Sequence, residues 1–286
     1  MATVSLPLSR TGRGRRKSPL PGLSLTLGIT ITWLTILLLL PLVALFLKSV
    51  TLGPTHFVDA AFSRRAIASY ELSFGAALAA AAVNAVFGLL VAWVLVRYRF
   101  PGRRLLSALV DLPFALPTAV AGIALTAVYA NTGWVGKPAS AFGLALAYNP
   151  VGVVIALTFI GLPFVVRTVE PVLTDLGKGI EEAAATLGAG RWTIFRRVVL
   201  PEILPALITG FALAFARGVG EYGSVIFIAG NMPFKSEIAP LLIVTKLEEY
   251  DYAGATAIAT VLLLSSLALL LLINAYQGRE LRRRSA

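Results

Sequence analysis

The sequence predicts an all-α integral membrane protein with six transmembrane helices. Only 14% of its 286 residues are charged and 57% are apolar, whereas an ordinary soluble domain carries about 25% charged residues. Apolar runs of about 20 residues, the length that crosses a bilayer as a helix, recur along the chain. Lys and Arg are concentrated in every second connection between these runs. One membrane domain accounts for nearly the whole sequence, which leaves no separate soluble catalytic domain within it.

The predicted spans are residues 23–47, 69–96, 114–130, 151–169, 204–228 and 254–276. Residues 1–22 and 277–286 are predicted to be basic tails on either side of this membrane domain, 23–276. Basic residues followed by an apolar run also begin a secretory signal. However, this run is about 25 residues, longer than the roughly 7–15 of a signal core, and no A-x-A cleavage site follows it. It is interpreted as an uncleaved first span.

The distribution of basic residues predicts the topology. The two tails and the connections after spans two and four hold 18 Lys and Arg, against 6 in the other connections. Because basic residues stay on the cytoplasmic side, both termini are expected in the cytoplasm. This asymmetry also explains the net charge of +11 without invoking nucleic acid.

Little in the sequence points to a metal, a cofactor or catalysis. It contains no cysteine and a single histidine, His56. One histidine does not make a metal site, so His56 is interpreted as an ordinary surface residue. No catalytic residue, metal or cofactor is expected in this chain.

The connection at about residues 170–202 is long for a link between two helices. Its apolar residues recur at helical spacing on both sides of Gly188, which predicts two short amphipathic helices joined by a glycine turn. These residues are Ile180, Ala184 and Leu187 before the glycine, and Trp192, Phe195 and Val199 after it. Pro201 is then expected in the first turn of the next span. Physical reasoning alone leaves two roles open: docking to a soluble partner, or lying on anionic lipid.

Span five carries two ionisable residues, Arg217 and Glu221, which stand four residues apart and share a helix face. Such residues usually face a bundle interior or an aqueous path. They are interpreted either as a cationic point or gate for an anion, or as a structural ion pair. The nearby Gly218, Gly220 and Gly223 indicate a hinge or close helix packing.

Two prolines four residues apart, Pro113 and Pro117, predict a break in regular helix at the start of span three. Asp111 precedes them and is expected to cap a helix or to pair with Arg103 or Arg104. Small residues four apart predict close packing of spans two and five. They are Ala77, Ala81 and Ala85 in span two, and Gly210, Ala214 and Gly218 in span five. The acidic connection 231–252 has two open interpretations, contact with a protein or simple solvation.

The long connection resembles the EAA loop of ABC-importer permeases. The pattern of that loop is E-A-A, three residues, Gly, nine residues, Ile, any residue, and Leu-Pro. This chain has Glu182, Ala183, Ala184, Gly188, Val198, Leu200 and Pro201 at those positions, with Val198 in place of the usual Ile. The resemblance implies that the loop forms coupling helices that dock onto a separate ATP-hydrolysing subunit. Since this chain has no G-x-x-x-x-G-K-[ST] phosphate loop, ATP and magnesium are expected on that subunit.

Two further stretches resemble the sulfate and thiosulfate permeases of that class, and most of all the first of their two subunits. They are DLPFALPTAVAG at 111–122 and ARGVGEYGSVIFIAGN at 216–231. The resemblance implies a bacterial inner-membrane permease working by alternating access. Its implied partners are a second permease subunit, two ATPase copies and a periplasmic sulfate-binding protein. Candidate residues of the translocation path or gate are Arg217, Glu221 and Asn231.

Two alternatives remain at this point. Molybdate and tungstate permeases share the L-P-x-x-L-P stretch, so that motif does not select sulfate. An ion-coupled secondary transporter is expected to have mid-membrane carboxylates and an inverted repeat. Near the middle of the membrane the predicted spans offer only Glu221, and the sequence shows no clear repeat.

Overall fold

The computed structural model describes residues 23–285, and the predicted basic tail at 1–22 lies outside them. Within these residues the chain is helical and contains no strand. The helices are α1 (Leu23–Leu34), α2 (Leu40–Thr51), α3 (Pro54–Ala61), α4 (Arg64–Arg97), α5 (Arg103–Ala115), α6 (Thr118–Tyr129), α7 (Gly136–Ala141), α8 (Pro150–Leu176), α9 (Gly179–Thr186), α10 (Arg191–Ile194), α11 (Leu200–Val219), α12 (Val225–Ile228), α13 (Ala239–Glu248) and α14 (Tyr252–Ser285).

Five helical segments of the described chain are long and apolar enough to cross a membrane. They are Leu25–Thr51, Arg64–Arg97, Pro150–Leu176, Arg191–Val219 and Tyr252–Ile273. The sixth predicted span is a bent pair, α5 and α6, whose axes differ by 117°. Leu116 between them is extended, as a residue before proline prefers to be. Counted as one span, this pair gives the predicted six. The expected break therefore occurs at Pro117, while Pro113 lies inside α5.

Two segments contain a π-helical turn that ends two residues before a proline. Thr35–Leu39 joins α1 to α2 before Pro41, and Phe195–Val199 joins α10 to α11 before Pro201. A proline in a helix lacks an N–H donor and clashes with the carbonyl four residues earlier. A wider turn relieves that clash, and the N–H of Leu200 donates to the carbonyl of Phe195 instead. Pro201 lies in the first turn of α11, as expected, and α10 continues into α11 through the wide turn.

The chain divides into two compact units, one ending at Leu47 and the other beginning at Lys48. In the second unit, α4, α8 and α11 pack together through small residues. A Cβ added at Gly210 would lie 2.8 Å from the Cα of Val165, and one added at Gly218 would lie 3.2 Å from the Cβ of Ala77. Such close approach is typical of membrane helices. The predicted packing faces are confirmed, although Ala85 is only partly buried.

Span five ends earlier than predicted. The prediction was a continuous helix over 204–228, but α11 ends at Val219 and Gly220 follows as its cap. Four residues then separate Gly220 from the short helix α12. Glycine is a poor helix former, and the side chain of Glu221 accepts a hydrogen bond from the N–H of Ser224 at 3.0 Å. The glycine-rich stretch is thus a break in the helix.

Candidate functional site

The α8–α11 connection, defined as residues 177–199, contains the predicted pair of short helices. Gly177 ends α8 with φ 63° and ψ −171°, a conformation open essentially to glycine alone. Glu181 and Glu182 lie in the first turn of α9, where negative charge is stabilised by the helix dipole. Glu182 and Ala183 are exposed, so these motif residues face away from the protein core.

Gly188 reverses the chain after α9, as the sequence predicts. Its φ is 82°, in the left-handed region that favours glycine. Its N–H donates to the carbonyl of Ala185 at 3.0 Å, and the N–H of Ala189 donates to the carbonyl of Ala184 at 3.1 Å. This pair of bonds is the Schellman arrangement that closes a helix end. The turn is therefore defined by its backbone and not by side-chain packing.

The apolar residues of this connection are divided between the core and the surface. Ala184, Val198 and Leu200 pack against the main hydrophobic cluster. In contrast, Leu187 is 88% exposed and Trp192 is 71% exposed. Large apolar side chains left on the surface of a polar connection are typical of a contact with another protein or with lipid. The motif thus has an outward half around Glu182 to Gly188 and an inward half around Val198 to Leu200.

The sequence does not distinguish Arg97 from the other basic residues that predict the topology. Its Nη2 donates to the carbonyl of Gly177 at 2.9 Å and lies 2.6 Å from Oε1 of Glu181. Its guanidinium also stands 5.6 Å from the ring centre of Trp93. These contacts join α4 to the α8–α11 connection. Only the run of arginines marked this region in the sequence, and that run does not distinguish Arg97 from its neighbours.

The predicted pair of Arg217 and Glu221 does form. Glu221 is 2% exposed and its Oε2 binds Nη1 of Arg217, whose side chain is 36% exposed. The other oxygen of Glu221 accepts from both the N–H and the Oγ of Ser224, each at 3.0 Å. Glu221 therefore ties the end of α11 to the start of α12 and leaves one side of Arg217 accessible.

The two stretches that suggested the subfamily, 111–122 and 216–231, pack against each other. A Cβ added at Gly122 of α6 would lie 2.8 Å from the Cα of Ser224, and one at Gly223 would lie 3.0 Å from the Cβ of Thr118. These glycines are explained by close approach of two backbones. Asn231 has φ 53°, and its Nδ2 donates to the carbonyl of Ile226 at 2.9 Å. Among the described contacts, none joins Asn231 to Arg217 or Glu221.

The predicted role of Asp111 is wrong. It lies inside α5 and caps no helix, and its partner is Arg167 of α8 instead of Arg103 or Arg104. Arg167 donates from Nε to Oδ1 of Asp111 at 2.8 Å and from Nη1 to Glu170 at 2.5 Å. Its Nη2 reaches the carbonyl of Ser107 at 2.9 Å. This fork of donors fixes α5 to α8, and the pairing depends on how the helices pack.

The acidic connection 231–252 is partly structural. Glu237 is 4% exposed and binds Arg65 at the start of α4 through two hydrogen bonds of 2.7 and 2.6 Å. Near α14, the hydrogen bond from the N–H of Gly254 lowers the pKa of Asp251. A hydrogen bond to Glu249 raises the pKa of Lys246. The acidic residues of this connection are Glu237, Glu248, Glu249 and Asp251. Glu237 is the one that is buried and joins the connection to α4.

Five long apolar helical segments and one bent pair, together with an exposed two-helix connection at 177–199, define a multi-pass membrane transport subunit. The comparisons are specific. Residues 84–284 match the family described as the binding-protein-dependent transport system inner membrane component, and this chain belongs to that family. It is therefore a multi-pass inner-membrane permease subunit.

Related proteins are similar over nearly their full length. The sulfate transport system permease protein CysT of Synechococcus elongatus is 52% identical over 267 residues, which cover 91% of this chain and 96% of that protein. The protein of the same name from Escherichia coli is 48% identical over 264 residues, 92% of this chain and 95% of that protein.

Solved structures show the same fold at low sequence identity. A chain of a bacterial ABC transporter involved in the import of the polysaccharide alginate has a TM-score of 0.73 at 19% identity, covering 90% of this chain and 95% of that one. A chain of the inward-facing MetNI methionine ABC transporter has a TM-score of 0.54 at 22% identity, covering 76% and 94%. At these identities the likeness shows the fold alone.

Proposed function

We propose that this chain is a permease subunit of an ABC importer that takes up sulfate, with thiosulfate as a second substrate. The observation that carries the proposal is the identity of 48–52% over more than nine tenths of this chain to proteins named as sulfate transport permeases. The alternative is a molybdate permease, since such permeases share the L-P-x-x-L-P stretch.

The α8–α11 connection is the proposed docking surface for a separate ATPase. The excess of Lys and Arg on one side assigns this connection, and both termini, to the cytoplasm. The outward half of the motif carries Glu182, an exposed Leu187 and the Gly188 turn. A short helix with an exposed carboxylate in its first turn and an exposed apolar side chain directly after its last turn suits insertion into a groove of a protein partner. ATP and magnesium act on that partner.

The proposed assembly contains a second, related permease subunit, two copies of the ATPase and a periplasmic sulfate-binding protein. Closure of the ATPases displaces the α8–α11 connections, and the bundle then opens toward the binding protein. Transport alternates between the two openings. This mechanism needs no catalytic group in the permease itself.

Arg217 is the proposed contact of this chain with the anion. Its partly exposed side chain offers guanidinium donors to an oxyanion, while Glu221 balances its charge. A balanced cation binds a divalent anion weakly, and weak binding is what passage through a transporter requires. Selectivity for sulfate is then set mainly by the binding protein.

The first test is uptake of radiolabelled sulfate in cells of the native organism, with this chain deleted and then restored. We expect uptake to disappear, to return on restoration, and to resist excess molybdate. If labelled molybdate uptake falls on deletion and sulfate uptake does not, the substrate assignment is wrong. If neither changes in a strain with no second sulfate uptake system, the oxyanion assignment is wrong.

A further inference from the structure

Two contacts hold the α8–α11 connection to the C-terminal end of α4, from which it is distant in the chain. Arg97 binds the carbonyl of Gly177 and the carboxylate of Glu181. The ring of Trp93, one turn earlier on α4, meets the ring of Phe195 edge to face at 5.7 Å between centres. The end of α4 thus contacts both the first short helix of the connection and the π-helical turn after the second.

The ionic contact is nearly enclosed by protein. The side chain of Arg97 is 7% exposed and that of Glu181 is 21% exposed. The contact is an ion pair, and removing one partner of a buried ion pair is costly since it leaves the other charge uncompensated. Arg99, two residues later, is exposed and shows no ion pair among the described residues. Only Arg97 of these two neighbours therefore has a structural reason to be an arginine.

The position of Arg97 relative to the glycines explains what the contact does. Gly177 joins α8 to α9, and Gly188 joins α9 to α10, both with positive φ. A Cβ added at either glycine would meet no atom within 4 Å, so nothing packs against the Cα of either glycine. Arg97 binds on both sides of the first turn, to the carbonyl at its start and to a carboxylate on α9.

Other packing between α4 and α9 is sparse at this point. A cleft of about 330 Å³ lies between them, bounded by Tyr98 at the end of α4 and by Glu182 and Ala185 on α9. A force applied to α9 would otherwise act on the two glycine turns. The Arg97 contact gives α9 a direct connection to α4, which packs closely on α8 and α11.

We infer that Arg97 is a positioning residue that fixes the angle of the Gly177 turn and transmits displacement of α9 to α4. The inference rests on the proposed function, because it assumes that a partner ATPase moves α9. Loss of Arg97 leaves docking in place but lets α9 move without the bundle. Substitution of Arg97 therefore lowers the amount of sulfate transported for each ATP hydrolysed.

The test uses the complete transporter with its ATPase and binding protein, reconstituted in proteoliposomes. Sulfate uptake and ATP hydrolysis are measured together for Arg97→Gln, Glu181→Gln, the double variant, and Arg99→Gln as the matched control. We expect the ratio of uptake to hydrolysis to fall about tenfold in each single variant, within the usual range of coupling between sites. The double variant should fall no further, because both changes remove one contact. Arg97→Lys should recover part of the ratio.

A ratio for Arg97→Gln equal to that of Arg99→Gln would overturn the inference, as would additive losses in the double variant. If Arg97→Gln does not assemble, Glu181→Gln decides alone, since its side chain lies on a surface helix. A wild-type complex that takes up no sulfate contradicts the proposed substrate, not the role of Arg97.

A second measurement is independent of the substrate. The sequence has no cysteine, so spin labels can be placed on single cysteines introduced at Tyr98 and Ala185. We expect one narrow distance between them with and without a bound ATP analogue in the wild type, and a broader distribution in Arg97→Gln. Equal widths in the two proteins would overturn the inference.

Discussion

The α8–α11 connection and the break between α11 and α12 are both rich in glycine, but glycine acts differently in them. In the connection, Gly177 and Gly188 have positive φ and open space around them. At the break, Gly223 faces α6, and Gly122 of α6 faces the break, each where an added Cβ would collide. Gly177 and Gly188 are needed for their backbone angles, whereas Gly122 and Gly223 are needed because a side chain would not fit between the packed segments. The same residue type thus makes one region adjustable and the other closely packed.

The largest expected effect comes from filling the close packing at the break. Gly122→Ala places a Cβ 2.8 Å from the Cα of Ser224, and backbone cannot give way as a side chain can. Overpacking costs about 1–3 kcal/mol or more. We expect a clear loss of thermal stability of the purified chain in detergent. The control is Gly220→Ala, where nothing lies within 4 Å; equal losses in both variants would contradict this account of the break.

The next effect comes from the carboxylate that ties the break together. Glu221→Gln removes the charge facing Arg217 and weakens the bonds to Ser224. Removing one partner of a buried ion pair leaves the other charge uncompensated, but the cost here is below that of the backbone collision because the Arg217 side chain is 36% exposed and partly solvated. The loss of stability can be measured from unfolding of the purified chain in detergent, monitored by circular dichroism. Ser224→Ala, which removes one hydrogen bond, should cost about 1 kcal/mol. A larger loss in Ser224→Ala than in Glu221→Gln would reverse our ranking of these contacts.

A smaller effect on stability is expected at the exposed turn. Gly188→Val forces a β-branched residue to φ 82°, which costs about 1–3 kcal/mol locally. The surrounding space is open, so assembly in membranes should remain largely intact while transport is uncoupled from ATP hydrolysis. Gly190→Val is the matched control, with φ −68° and open space. Full uptake by the Gly188 variant would exclude the role proposed for this turn.

The smallest effect is expected at the start of α14, where a carboxylate stabilises the first turn of the helix. Asp251 accepts from the N–H of Gly254 at 2.8 Å, and this bond lowers its pKa. Because the folded pKa lies below the ordinary value of 3.8, the stabilisation is present above that pH and is lost as the pH falls through the folded pKa. Asp251→Ala should cost about 1 kcal/mol at neutral pH. The difference from wild type should shrink on acidification, and a difference that grows would contradict this assignment.

The features that the sequence predicted correctly are local. Apolar runs indicate spans, and a glycine between two helical patterns indicates a turn, because each depends on neighbouring residues. The pairs Arg97–Glu181 and Arg167–Asp111 were not predicted, since 84 and 56 residues separate their members and packing alone decides which surfaces meet. The π-helical turns were missed for a different reason. A proline indicates a helix boundary more often than a wide turn, and here the wide turn occurred twice.

The wide turn at Phe195–Val199 also sets an angular relation within one continuous segment. One additional residue in a helix rotates everything beyond it by about 100° around the axis. The direction in which Trp192 projects, relative to the buried face of α11, therefore depends on that single residue. Shortening this stretch by one residue would restore an ordinary helical repeat, yet it would turn the tryptophan toward a different side of the molecule. The number of residues in this stretch thus determines the direction of Trp192 relative to α11, whatever side chains the stretch carries.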